Sequence, residues 1–102
     1  KELFLFNRTL EAKEALEWGF VNEVVADDEL RDKTFKIARK IASGPTKAFG
    51  GLKRLLLSSF SNPIETQLDR ETLEVVGTMD TYDGPHGIAS FLDKKPPNFK
   101  GE

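Results

Sequence analysis

The side chains of this sequence that could move protons are carboxylates and one histidine. Glu71 and Glu74 lie three residues apart, a spacing that puts both on one face of a helix. Paired carboxylates suit general acid–base work, but Asp69 and Arg70 stand beside them, and such a mixed-charge run reads as a solvated face. Glu14, Glu17 and Glu23 also read as surface residues. His86 is the only histidine and has no cysteine or carboxylate at ligand spacing, so it reads as a surface histidine and no metal site is expected. The absence of cysteine removes disulfides, thiolate nucleophiles and zinc–thiolate sites. Arg31, Lys33, Lys36, Arg39 and Lys40, like Lys47, Lys53 and Arg54, lack interleaved aromatics and read as solvated faces.

Composition bounds the class of protein. The chain has 102 residues, 31% charged and 38% hydrophobic, with a formal net charge of −2. These values fit a helix-rich globular piece and give no case for nucleic-acid or membrane binding. No apolar run approaches the roughly 18 residues of a membrane span, and no signal peptide is visible. A cytoplasmic location, or an organelle matrix in a eukaryote, is therefore expected.

The elements that must position any site are amphipathic helices. Leu3 to Phe6 reads as the last turn of a helix. Thr9 is placed to cap a two-turn helix carrying Ala12, Ala15, Leu16 and Trp18, with Gly19 as its stop and Trp18 as a packing anchor. Phe20, Val21, Val24 and Val25 then form a short extended run that needs a docking surface. Asp27 or Asp28 caps a helix of about four turns, striped by Leu30, Thr34, Ile37, Ala38, Ile41 and Ala42. Gly44 and Pro45 separate it from a third helix bearing Ala48, Phe49, Leu52, Leu55 and Leu56. Asn62, with Pro63 and Glu65 after it, marks a fourth start in the manner of a capping box, and Gly77 weakens that helix near its end. Thr81 caps a last short helix through Ile88, Phe91 and Leu92, which Pro96-Pro97 forbids from continuing. The fold class expected is mostly α, four or five short amphipathic helices with no convincing strand pair. Their apolar stripes exceed what one small core needs, so some faces are expected to meet other surfaces.

Three segments in order resemble one family. Arg8, Ala12, Glu14, Ala15, Gly19, Val21, Asn22, Val24 and Val25 match "tGr…sA.eAl..GlVn.Vv" of the enoyl-CoA hydratase/isomerase (crotonase) superfamily. Ile41 to Ala48 with Lys53-Arg54-Leu55-Leu56 resembles its "lA.gp..A…tKrll" portion. Gly87 to Pro96, then Phe99 and Gly101, resembles its C-terminal "eG..AF..KR.P.F.G". Residues 1–102 are thus identified as the C-terminal helical and oligomerisation region of a crotonase-like α/β fold, whose larger catalytic domain would precede Lys1.

The resemblance implies a parent enzyme that adds water to an enoyl-CoA, or shifts its double bond, through an oxyanion-stabilised enolate. In the family the catalytic carboxylates and oxyanion-hole amides lie upstream of the matched segments, so no catalytic residue is assigned here. The substrate is a coenzyme A thioester and no separate cofactor is implied. Phe91 and Lys94 fall on the phenylalanine and lysine of "AF..K", which in the family reach the acyl and coenzyme A pocket of a neighbouring subunit. An aromatic ring suits an acyl chain and an ammonium suits phosphates. From the residues alone, a core phenylalanine and a surface lysine are the favoured reading, and the motif match brings the pocket role level with it. Lys95 stands where the family often has arginine, and His86 where it usually has glutamate. The family's trimers, often paired into hexamers, imply a homo-oligomer, with Phe49, Leu52, Leu56, Leu68 and Val76 at or near its contacts. GPTKA together with Gln67 to Glu71 (QLDRE) is most similar to the phenylacetate-pathway isomerase branch. The other reading is a non-catalytic oligomerisation or binding module derived from the family.

Overall fold

The computed structural model describes all residues, 1–102, as six helices and no strands. They are α1 (Glu2–Leu5), α2 (Ala12–Glu17), α3 (Asp27–Ala42), α4 (Thr46–Ser58), α5 (Ile64–Met79) and α6 (Asp83–Leu92). The mostly α class is as expected, with the opening turn counted as a sixth helix. No helix is long and apolar enough to cross a membrane. The chain divides into two compact units, Lys1–Phe35 and Lys36–Glu102.

In the first unit Arg8 ties the local pieces together. Its guanidinium donates to both carboxylate oxygens of Glu14, at 2.9 and 2.7 Å, and lies 5.2 Å from the centre of the Trp18 ring. Arg8 Nε sits 2.8 Å from Glu2 Oε1, an ion-pair contact without hydrogen-bond geometry. Thr9 is not the cap of α2. The helix begins after Glu11, whose φ of −71° and ψ of 151° are extended, and no side chain caps it. Glu14 is likewise no free surface carboxylate, since Arg8 claims it across the non-helical residues before α2. The stop at Gly19 is as expected. With Gly19 at φ 72°, its N–H donates to Leu16 O and that of Phe20 to Ala15 O, the bond pair of a Schellman motif. Phe20, Val21 and Val24 after it form no strand and are exposed. Neither Asp27 nor Asp28 precedes α3 as a cap: both lie with Glu29 inside its first turn, where, like Arg39 and Lys40 in the last, they favour the helix dipole.

In the second unit α4 packs on α5, and α5 on α6. Contacts of α4 residues 51, 54 and 55 with α5 residues 74, 74 and 67 run in opposite directions, so the first two form an antiparallel hairpin. Gln67 is its buried centre: its amide donates to Leu55 O and Glu71 Oε1, and its carbonyl accepts from Asn62 and Ser58. Asn62 is not the cap of α5. Its amide is drawn to Gln67, and Pro63 takes the position before α5 without a side-chain cap. Thr81 does act at the start of α6, accepting the Gly84 N–H at 3.1 Å while donating to Thr78 O.

What is buried is small or polar. Ala15 is the only buried apolar residue, and beside it stand Gly51, Gln67, Asp83 and Ser90. Seven of the eight phenylalanines are exposed, Phe60 completely. The surplus of apolar surface expected from the stripes is therefore present on every helix from α3 to α6.

Two glycines separate close approach from open space. A Cβ on Gly84 would lie 2.1 Å from Thr78 O, backbone against backbone, so α5 and α6 would have to part. A Cβ on Gly77 would meet nothing within 4 Å. Gly84→Ala is expected to destabilise the fold by about 2 kcal/mol, and Gly77→Ala to stabilise it by about 1 kcal/mol. Urea denaturation of the two variants checks the opposite signs.

Candidate functional site

α6 divides its residues between two sides. Asp83 and Ser90 are buried and His86 and Gly87 half-buried, and these meet the returning C-terminal tail. Ile88, Phe91 and Leu92 are exposed. Phe91, at 81% exposure, is not a core residue in this chain. It is an aromatic ring presented outward, with Ile88 three residues before it on the same face.

Lys94 directly follows that face and has unusual backbone geometry. Its φ is 55°, left-handed, at the position after the helix cap where glycine is usual. Its N–H donates to Phe91 O at 3.1 Å and that of Lys95 to Ser90 O at 2.9 Å, a second Schellman motif. A side chain in this conformation costs about 1 kcal/mol, and such strain gathers where a side chain must point in one direction. Phe91 and Lys94 are thus joined through a backbone hydrogen bond at one exposed end of α6. Lys95 pairs with Asp93 at 3.2 Å, an exposed contact of little energetic weight.

His86 is not a plain surface histidine. Its ring stacks on Tyr82 at 5.2 Å, meets Phe99 edge-on at 6.4 Å, and accepts the Asn98 N–H at Nε2. The accepting Nε2 places the proton of the neutral ring on Nδ1. Lys100 Nζ lies 3.9 Å from the centre of the Tyr82 ring. Asp83, which spacing does not single out, accepts the N–H groups of Lys100 and Gly101, each at 2.7 Å. Its partners lie 17 and 18 residues on, beyond any local pattern.

The carboxylates weighed for acid–base work have other partners. Glu74 faces Arg54 through two 2.8 Å hydrogen bonds that join α4 to α5, and Glu71 accepts from Gln67. Glu74 is half-buried against Arg54, whereas Glu71 is exposed, as expected of a solvated face. Hydrogen bonds from Arg54 hold the Glu74 carboxyl below the usual glutamate range, and those from Arg8 do the same for Glu14, in each case against desolvation. A carboxylate held ionised in this way is a poor proton acceptor. Glu23 pairs with Lys33.

The last helix thus ends in an exposed aromatic ring and, three residues on, a lysine in a left-handed turn. The enoyl-CoA hydratase/isomerase family model matches residues 1–102, and the chain belongs to that family. It is 35% identical over 102 residues to 1,2-epoxyphenylacetyl-CoA isomerase of Escherichia coli (strain K12), covering 98% of this chain and 38% of that one. It is 32% identical over 94 residues to 4-chlorobenzoyl coenzyme A dehalogenase-1 of an Arthrobacter species, covering 92% of this chain and 34% of that one. A crystal structure of an enoyl-CoA hydratase/isomerase family protein from Mycobacterium abscessus superposes with a TM-score of 0.92 at 33% identity, over 99% of this chain and 39% of that one. The chain spans well under half the length of the curated relatives it matches.

Two measurements check this geometry. Lys94→Gly is expected to raise stability by about 1 kcal/mol, by relieving the left-handed conformation, whereas Lys94→Ala keeps that strain; chemical denaturation compares them. The carboxyls of Glu14 and Glu74 are expected to titrate below the ordinary value of about 4.3. Because their folded values are depressed, the stability these pairs add is present above the ordinary range and lost as pH falls through the folded values. Carbon-13 titration of the two side chains reads both midpoints.

Proposed function

We propose that this chain is the C-terminal helical part of an acyl-CoA hydratase or isomerase, supplying one wall of its coenzyme A and acyl pocket. Phe91 covers the acyl portion and Lys94 meets the phosphates. The observation that carries this reading is the outward Phe91 beside a lysine in a left-handed turn. The proton-moving carboxylates and the amides that stabilise the enolate oxygen would lie in another part of the whole protein. Its reaction would be water addition to an enoyl-CoA or a double-bond shift, with the thioester as substrate and no further cofactor required. Relatives named as isomerase and dehalogenase match the same region at similar identity. This supports a task common to them, holding the coenzyme A thioester, with the reaction decided elsewhere. Similarity to the 1,2-epoxyphenylacetyl-CoA isomerase, together with the QLDRE and GPTKA segments, favours an isomerase of aromatic acyl-CoA within that range.

A homo-oligomer belongs to the same proposal. Phe49, Leu52, Leu56, Leu68 and Val76 are all exposed, and an open apolar groove of about 350 Å³ between α4 and α5 is lined by Leu52, Leu55, Leu56 and Val75. Covering such surface yields about 25 cal/mol per Å², so closed association, as in a trimer, is the expected state. An oligomerisation module without chemistry would use the same faces.

The two readings divide on kinetics. In the full-length protein Lys94→Ala is expected to raise KM for an acyl-CoA substrate by about tenfold and leave kcat within about twofold, since a contact to a distant phosphate binds ground and transition states alike. An unchanged KM removes Lys94 from the site. Absence of turnover by the full-length protein on crotonyl-CoA and on aromatic acyl-CoA thioesters would favour the binding module. The 102-residue chain alone is expected to give no turnover above a buffer blank.

A further inference from the structure

The tail after α6 does not leave the fold. It doubles back along the helix, with Asn98 N–H on His86, Phe99 against Gly87, and Lys100 and Gly101 on Asp83 at the helix start. Asp83 is only 3% exposed, the lowest value among the buried polar residues. Each of its two oxygens takes one backbone N–H, and its own N–H donates to Glu102 O at 3.1 Å. Gly101 completes the fit. It sits at φ 75°, and a Cβ there would come within 2.6 Å of Thr46 Oγ1, at the first residue of α4.

We propose that Asp83 is a positioning residue for Lys94, acting as a latch that closes the tail into a loop and so holds the Lys94 turn. The inference rests on the reading of Lys94 as a coenzyme A contact. The helix ends at Leu92 and the first anchor of the returning tail is Asn98, leaving residues 93–97 to make the reversal. Two of these are prolines with fixed φ, so the loop has few alternative paths once both ends are held. Lys94 keeps its left-handed φ, at a cost, within this closed loop. With the tail released, the turn is free to relax, and the direction in which the Lys94 side chain leaves the backbone changes with it. The two N–H groups face different oxygens of Asp83, so an asparagine here would set its NH2 against one of them.

The test is a double-mutant cycle in the full-length protein, read as the Kd of coenzyme A itself by titration calorimetry. Lys94→Ala and Asp83→Asn are each expected to weaken binding about tenfold, and the double variant by about the same factor, since the two act through one contact. Amide exchange at Lys100 and Gly101 should accelerate in Asp83→Asn. Normal binding by Asp83→Asn alongside weak binding by Lys94→Ala overturns the latch and leaves the Lys94 contact standing. Roughly hundredfold loss in the double variant, the additive result, also overturns it, because Asp83 then acts independently of Lys94. Normal binding by Lys94→Ala removes the contact and with it the inference. Should Asp83→Asn fail to fold, Gly101→Ala opens the latch from the other side, by strain and by collision with Thr46. Gly101→Ala then takes the place of Asp83→Asn in the cycle, with the same outcomes supporting or overturning the latch.

Discussion

A buried carboxylate accepting two consecutive backbone N–H groups decides where the end of this chain lies, and through that which side of α6 faces out. Asp83 draws the tail onto the side of the helix that carries His86, Gly87 and Ser90. That side is polar or small, and its groups are satisfied by the tail. Buried polar groups must find partners, since a charge left buried and unpaired is costly. The apolar side, with Ile88, Phe91 and Leu92, is left uncovered as a consequence. Gln67 plays the same part in the α4–α5 hairpin: it takes the centre with amide hydrogen bonds, and Leu52, Leu56, Leu68 and Val76 stay exposed.

This is the reverse of how a self-sufficient small domain is built. Burying a leucine or phenylalanine side chain contributes about 1.5–3 kcal/mol, and here no large side chain is fully buried. Directional polar contacts therefore fix helix against helix locally: Arg8 with Glu14 in the first unit, Arg54 with Glu74 and the Gln67 centre in the second. Such contacts specify geometry well and stabilise modestly, because each replaces hydrogen bonds to water. The uncovered stripes hold most of the apolar driving force of the sequence in reserve for another surface.

What can be read from the sequence follows from local rules. The helix stop at Gly19, the acidic start and basic finish of α3, and the Gly-Pro break before α4 each depend on residues within one turn. The starts of α2 and α5 mislead for one shared reason. Thr9 and Asn62 have the right chemistry for caps, but neither starts its helix: the Arg8–Glu14 pair spans the segment after Thr9, and Gln67 takes the Asn62 amide. The left-handed turn at Lys94 carries no marker, because lysine gives no hint of a conformation that glycine usually announces. Asn7, at φ 48° where the family segment has glycine, is a milder case, since asparagine tolerates that region. Asp83 gives no local signal because its partners come from the far end of a loop. The family segments mark Phe91 and Lys94 as positions of interest, yet only the structure shows the ring outward and the lysine in its strained turn.

The division of α6 also bears on what kind of site its outer face can be. A single exposed helix face with one ring and one lysine covers only one side of a ligand, whereas small-molecule sites enclose most of their ligand's surface. The same face is too apolar to be left in water without reason. Both facts are met if the outer side of α6 is one wall of a pocket whose other walls come from a different part of the protein or from a second copy. The tail cannot supply that second wall, because Asp83 and His86 already hold it on the opposite side. An arrangement of this kind separates two jobs: the latch side keeps α6 and the Lys94 turn rigid, and the outer side waits for a partner surface to complete the enclosure.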